Sequence, residues 1–95
     1  MKPRIIVCGL GRTGYKIFRL LRQQGATVVG ISDRPLRGEG SEIIIGNFRS
    51  ASTLLAAGIQ SAHTLILTGK DESVNLGVLM LARILNPKIR IINRL

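Results

Sequence analysis

The hexapeptide Gly9-Leu10-Gly11-Arg12-Thr13-Gly14 carries the clearest chemistry in the chain. Three glycines at GxGxxG spacing, with one guanidinium among them, suit the capture of a phosphate. Gly9 permits a tight turn, Gly11 lets the backbone approach an anion, and Gly14 lets a following helix pack on the preceding strand. Arg12 has two readings, a phosphate ligand or a solvated loop residue. A second polar cluster, Ser32-Asp33-Arg34, closes the next apolar run. Other reactive side chains offer less. Cys8 is the single cysteine and lies in the run before the loop. It reads as a small buried hydrophobe, and without a partner it points to a reducing setting. His63 has no second His, Cys or paired acid at ligand spacing, so no metal site is expected. Tyr15 is followed directly by Lys16 and sits beside the phosphate loop, a poor place for a proton donor. No catalytic residue is expected.

A glycine loop of this kind works only between a strand and a helix. Ile5-Ile6-Val7-Cys8 is a β-branched run leading into Gly9, and Tyr15, Phe18 and Leu20-Leu21 carry a helical pattern behind it. After Gly25 comes a second apolar run, Thr27 to Ile31. Pro35 to Ser41 has no helical period and reads as a loop. Glu42 to Gly46 predicts a short buried strand. Ser50 is the expected N-cap of a helix through Ala57, stopped by Gly58. Thr64 to Thr68 predicts a fourth strand. Asp71-Glu72 or Ser73 opens a longer helix to Leu85, with Asn86-Pro87 as its stop. Lys88 to Asn93 is the fifth strand, and Leu76, Val78, Leu79, Met80, Leu81, Ile84 and Leu85 cover more than one face of the helix before it. That excess suggests a subunit contact.

Strands alternating with helices imply a Rossmann-like doubly wound parallel sheet of about five strands, order 3-2-1-4-5, with right-handed crossovers. The switch point falls between strands 1 and 4, and ligands bind outside the carboxyl ends of the strands. Every predicted strand ends in polar or glycine residues: Gly9 to Gly14, Ser32 to Arg34, Gly46-Asn47-Phe48, Thr68 to Asp71, and Asn93-Arg94.

Ninety-five residues make one domain with a modest core. The 45% hydrophobic content, nearly free of aromatics, suits a sheet covered on both faces. No stretch reaches the roughly 20 apolar residues of a membrane span. The first strand begins so early that no signal peptide is expected. Fourteen Lys and Arg against five acids give a formal charge of +9. The cations are spread along the chain and stacking aromatics are nearly absent, which disfavours nucleic acid. Attraction for anionic ligands explains the charge more economically.

Three stretches together resemble a known family: V-C-G-L-G-R-T-G, the Ala57 to Leu76 segment with L-I-L-T-G-x-D-x-x-x-N-L, and the Leu81 to Arg94 ending. They are similar to RCK domains, also called TrkA N-terminal, NAD-binding domains, which regulate potassium channels and transporters. The resemblance implies a cytoplasmic, ligand-gated regulatory domain, peripheral to a membrane transport protein. It would bind NAD(H) or ATP, ADP or AMP, assemble as a homodimer or higher ring, and signal to a channel or transporter subunit. By the same resemblance the loop of Gly9, Leu10, Gly11, Arg12, Thr13 and Gly14 holds the phosphate. Asn47 contacts the nucleoside, Thr68 and Gly69 line the pocket, and Asp71 and Asn75 lie beside it.

The chain departs from the family in three places. The acid that commonly ends strand 2 falls on Ser32, with Asp33 one residue later. An acid there accepts ribose hydroxyls, while a small residue followed by arginine suits a 2′-phosphate. Ser32-Asp33-Arg34 has features of both, so NADP stays open beside NAD. The helix between strands 2 and 3 is replaced by the Pro35 to Ser41 loop. After strand 3 a Gly-Asp-Ala becomes Gly46-Asn47-Phe48, where Asn47 can donate and accept and Phe48 would stack on or block the base. Ending after strand 5, with a sixth strand and later helices missing, the chain is expected to be part of a longer protein. Strand 5 would then present an apolar edge. Two other functions compete: a small NAD(P)-dependent oxidoreductase or its cofactor-binding fragment, and a structural dimerisation module with a vestigial site.

Overall fold

The computed structural model describes residues 3–36, 40 and 42–93. At its centre is β1 (Arg4–Cys8), flanked by β2 (Thr27–Ser32) and β4 (Thr64–Leu67), with β3 (Ile43–Ile45) and β5 (Arg90–Asn93) at the two edges. The strand order is β3-β2-β1-β4-β5 and every pairing is parallel, as the alternating pattern predicts. The helices are α1 (Arg12–Gln23), α2 (Ala51–Ala56) and α3 (Glu72–Leu85). A 3-10 turn, Ile59–Ser61, precedes β4, and no local pattern in the sequence marks it.

The period of two along β1 divides the core. Val7 is buried with Leu10, Phe18 and Val28, and Ile5, Ile17 and Leu21 pack against them on the α1 side. Ile6 and Cys8 face the other way, into a larger cluster with Ile31, Leu54, Ile59, Leu65, Leu67, Val78 and Ala82. Burying side chains of this size from both faces is worth about 1.5–3 kcal/mol each, which is why the sheet can be short. On the outer surface of α1, Arg19 and Arg22 lie over the rings of Tyr15 and Phe18, and Arg22 reaches Glu42 at 3.7 Å.

Four expectations change. The strand predicted as buried over Glu42 to Gly46 is only Ile43–Ile45, half-exposed, because it is an edge with one neighbour and Ile45 is 49% exposed. The fifth strand starts at Arg90, not Lys88. Asn86 accepts from the Lys88 N–H through Oδ1 and from the Ile89 N–H through its carbonyl, which keeps those residues in a turn. Ile89 is consequently core rather than edge, while Ile92 stands 47% exposed on the open side of β5. Ser50 takes the expected N-cap position of α2 but makes no side-chain capping bond; its hydroxyl pairs with that of Ser52 at 2.7 Å. Leu36 packs against the α1-side core, and Arg37, Ser41 and Arg94 lie outside the described residues.

Candidate functional site

The carboxyl ends of four strands are stitched into one row. Gly9 N–H donates to the Ile31 carbonyl at 2.9 Å, Gly46 N–H to the Ser32 carbonyl at 2.9 Å, and Thr68 N–H to the Cys8 carbonyl at 3.1 Å. Across this edge, residues of the glycine loop and of the β4 end enclose a cleft of about 390 Å³. Its walls are Gly9, Gly11, Arg12, Thr13 and Gly14 on one side and Thr68, Gly69 and Lys70 on the other.

Each glycine of the loop has a different physical reason. Gly9 has φ +101°, a left-handed conformation that a side chain would strain. A Cβ on Gly14 would stand 1.8 Å from the Gly9 carbonyl oxygen and 2.6 Å from Thr68 Oγ1, so α1 meets the loop without clearance. Gly11 is the opposite case: a Cβ there would meet nothing within 4 Å. Packing makes no demand on it, and the space it leaves lies in the cleft.

Thr68 ties the two walls. Its hydroxyl donates to the Gly9 carbonyl at 2.6 Å and lies 3.1 Å from that of Cys8, so its buried side chain braces the loop. Asn75, placed by resemblance beside the pocket, is 6% exposed inside α3 and donates through Nδ2 to the Gly69 carbonyl at 2.8 Å. That bond turns the Gly69 carbonyl toward α3. In a planar trans peptide the Lys70 N–H then points the other way.

Two long helices start at this edge, and they are finished differently. Asp71 caps α3, accepting from the N–H groups of Ser73 at 2.9 Å and Val74 at 3.2 Å, and Glu72 adds an acid to the first turn. Gly11 caps α1 with no side chain, and the first turn holds no acid. The N-terminal N–H groups of α1 therefore keep their partial positive charge, with Arg12 at the first helical position. The described cleft walls contain two cations, Arg12 and Lys70, and no carboxylate.

The other sequence-singled residues divide. Leu10 belongs to the loop by its backbone only; its side chain is 8% exposed, packs with Phe18 and fills the space over Gly30. Ser32 is buried, and its hydroxyl is spent on a local turn, donating to the Arg34 carbonyl and accepting the Arg34 N–H at 3.2 Å. Asp33 and Arg34 are exposed at the end of β2 and face each other at 3.7 Å. Asn47 is exposed, with Oδ1 accepting from the Arg49 N–H at 2.9 Å. Phe48 is half-buried against the larger core cluster, an anchor for the turn rather than a free stacking platform. Cys8 lies under the loop with its thiol pushed up to about 12, first by burial and then by the Asp33 carboxylate. Lys70 was covered in the sequence only as one member of the Thr68 to Asp71 stretch, and no motif marks it.

A larger concavity, about 750 Å³, lies at the opposite, amino edge of the sheet among Arg4, His63, Asn86, Lys88 and Arg90. It has no glycine loop and no helix N-terminus. No group of three or more His, Cys, Asp or Glu side chains among the described residues could hold a metal ion.

The model of the TrkA-N domain family matches residues 5–95. The chain belongs to that family. It is 33% identical, over 98% of its length, to the glutathione-regulated potassium-efflux system protein KefC of Cronobacter sakazakii. It spans only 16% of that protein. Among solved structures, the TrkA-N domain of the inner membrane protein ybaL from Escherichia coli superposes with a TM-score of 0.90 at 26% identity, covering 99% of this chain and 73% of that one. Shewanella denitrificans Kef CTD in its AMP-bound form gives 0.88 at 26% identity, with 96% and 58% covered. GsuK bound to ADP gives 0.84 at 27% identity, with 97% and 25% covered. This TrkA-N chain is thus of the kind found in potassium-transport proteins, and no described helix is long and apolar enough to cross a membrane.

Proposed function

We propose that this TrkA-N domain is a nucleotide sensor: it binds NAD(H) or an adenine nucleotide and passes the ligand state to a potassium channel or transporter. The observation that carries the reading is the cleft over Gly11, open for 4 Å around where a Cβ would stand, backed by the uncapped start of α1 and lined there by Arg12. Such a surface takes a phosphate. The AMP-bound Kef CTD and the ADP-bound GsuK support an adenine nucleotide as its bearer. Asp33 and Arg34, exposed at the end of β2, support a contact there to a ribose or a 2′-phosphate. A hydride-transfer reading draws no support from the described cleft walls, which hold no histidine, tyrosine or carboxylate to move a proton.

Assembly as a homodimer or larger ring is part of the proposal. Leu76, Met80 and Ile84 recur at four-residue spacing along α3 and are 56%, 58% and 75% exposed. That stripe is apolar surface left over after the core is filled, and a second copy would cover it.

The test is a calorimetric titration with NADH, NAD, NADPH, ATP, ADP and AMP. Saturable micromolar binding of at least one, without turnover, is expected. Absence of binding by all six would leave a scaffold with an inherited loop.

A further inference from the structure

We propose that Lys70 reads the second phosphate of the nucleotide, so that the site prefers a nucleoside diphosphate, or a dinucleotide joined through one, to a nucleoside monophosphate. The inference rests on the nucleotide reading above and adds the class of ligand.

The strand order supplies the direction. The ribose is read at the end of β2, the phosphate sits on the loop after β1, and β4 lies on the far side of β1. A ligand entering from the β2 side therefore places its first phosphate over Gly11 and Arg12. Whatever extends beyond it runs toward the end of β4, where Gly69 and Lys70 form the opposite wall of the same cleft. On this reading the group that meets that wall is one a monophosphate lacks. A second phosphate arrives at it.

The wall is built to receive an anion. Asn75 holds the Gly69 carbonyl, which would repel a phosphate, against α3 at 2.8 Å. The peptide plane then turns the Lys70 N–H to the other side. Asp71, the nearest acid in sequence, is committed to the N–H groups of Ser73 and Val74. Lys70 itself is exposed and forms no ion pair among the described residues. Its ammonium is left as a flexible point charge, a suitable partner for a terminal or bridging phosphate.

The test is a titration of ADP and AMP into the wild-type chain, K70Q and K70R. Wild type should bind ADP roughly tenfold more tightly than AMP, the scale of one charge-assisted hydrogen bond at a partly exposed site. In K70Q the ADP affinity should fall by about that factor while AMP changes by less than about twofold, and K70R should restore most of the loss. Equal losses for both ligands would make Lys70 a contributor to the general field and overturn the inference. So would unchanged ADP affinity in K70Q, and in both cases retained AMP binding leaves the nucleotide reading standing. Binding of neither ligand to the wild-type chain would overturn both.

Discussion

Gly11 and Gly14 lie three residues apart in one motif, and the structure predicts opposite consequences for filling them. In Gly14→Ala the new methyl would sit 1.8 Å from the backbone oxygen of Gly9, so loop and helix must separate by more than an ångström. Overpacking against backbone of this kind belongs at the upper end of its range, about 3 kcal/mol. For a domain of this size that lowers Tm by roughly 12–24 °C. In Gly11→Val the added Cβ meets nothing within 4 Å, and φ −69°, ψ −165° is an extended conformation open to valine. Valine is a poorer N-cap than glycine, but it also restricts the unfolded chain, and each effect is worth up to about 1 kcal/mol. The two oppose each other, so Tm should move by no more than roughly 8 °C in either direction. The isopropyl group nevertheless occupies the space assigned to the phosphate, and nucleotide affinity should fall below detection. Thermal denaturation and calorimetry on the two variants test the whole chain of inference. A strongly destabilised Gly11→Val, or one that binds nucleotide as wild type does, would refute the claim that Gly11 is kept open for a ligand.

Asn75→Ala leaves the part-buried Gly69 carbonyl without its partner. It should cost about 1–3 kcal/mol in denaturant unfolding and weaken nucleotide binding as well, because the 69–70 peptide loses its orientation. Asp71→Ala removes the cap of α3 and should cost about 1 kcal/mol in the same assay while nucleotide affinity holds; a lost affinity would make Asp71 a ligand contact instead. Cys8 should resist thiol reagents in the folded protein and bring an alkaline weakness. Its folded value of about 12 lies above the ordinary 9.0, so above pH 9 the unfolded chain loses this proton and the folded one keeps it. Stability therefore falls as pH rises from about 9 toward 12, by at most about 1.4 kcal/mol per pH unit. Melting curves of wild type and Cys8→Ala between pH 8 and 10.5 should converge, and parallel curves would count against it.

The parts of this molecule that follow from local pattern were legible in its sequence. Short apolar runs between helical periods give a parallel sheet, and a strand–GxGxxG–helix order gives the loop, because both depend on neighbours a few residues apart. Asp71 as a cap was legible for the same reason. The exposure of the third strand was not. Ile43–Ile45 looks like a buried run, and only its place at the sheet edge leaves it half open. Asn75 was set beside the pocket by resemblance alone; by local pattern a polar residue one turn into a helix looks like surface until the fold sets Gly69 against it. The distinction between Gly11 and Gly14 needs the position of the Gly9 carbonyl, and the role of Lys70 needs β4 set beside β1 across the cleft.

The most direct test of the central claim is a map of where the nucleotide sits. In a titration of ADP into the ¹⁵N-labelled chain, the largest amide shifts should fall on Gly9, Gly11, Arg12, Thr13 and Gly14, with Lys70 moving at the same concentrations. Shifts centred instead on the amino edge, at Arg4, His63, Lys88 and Arg90, would place the ligand at the wrong end of the sheet and contradict the account.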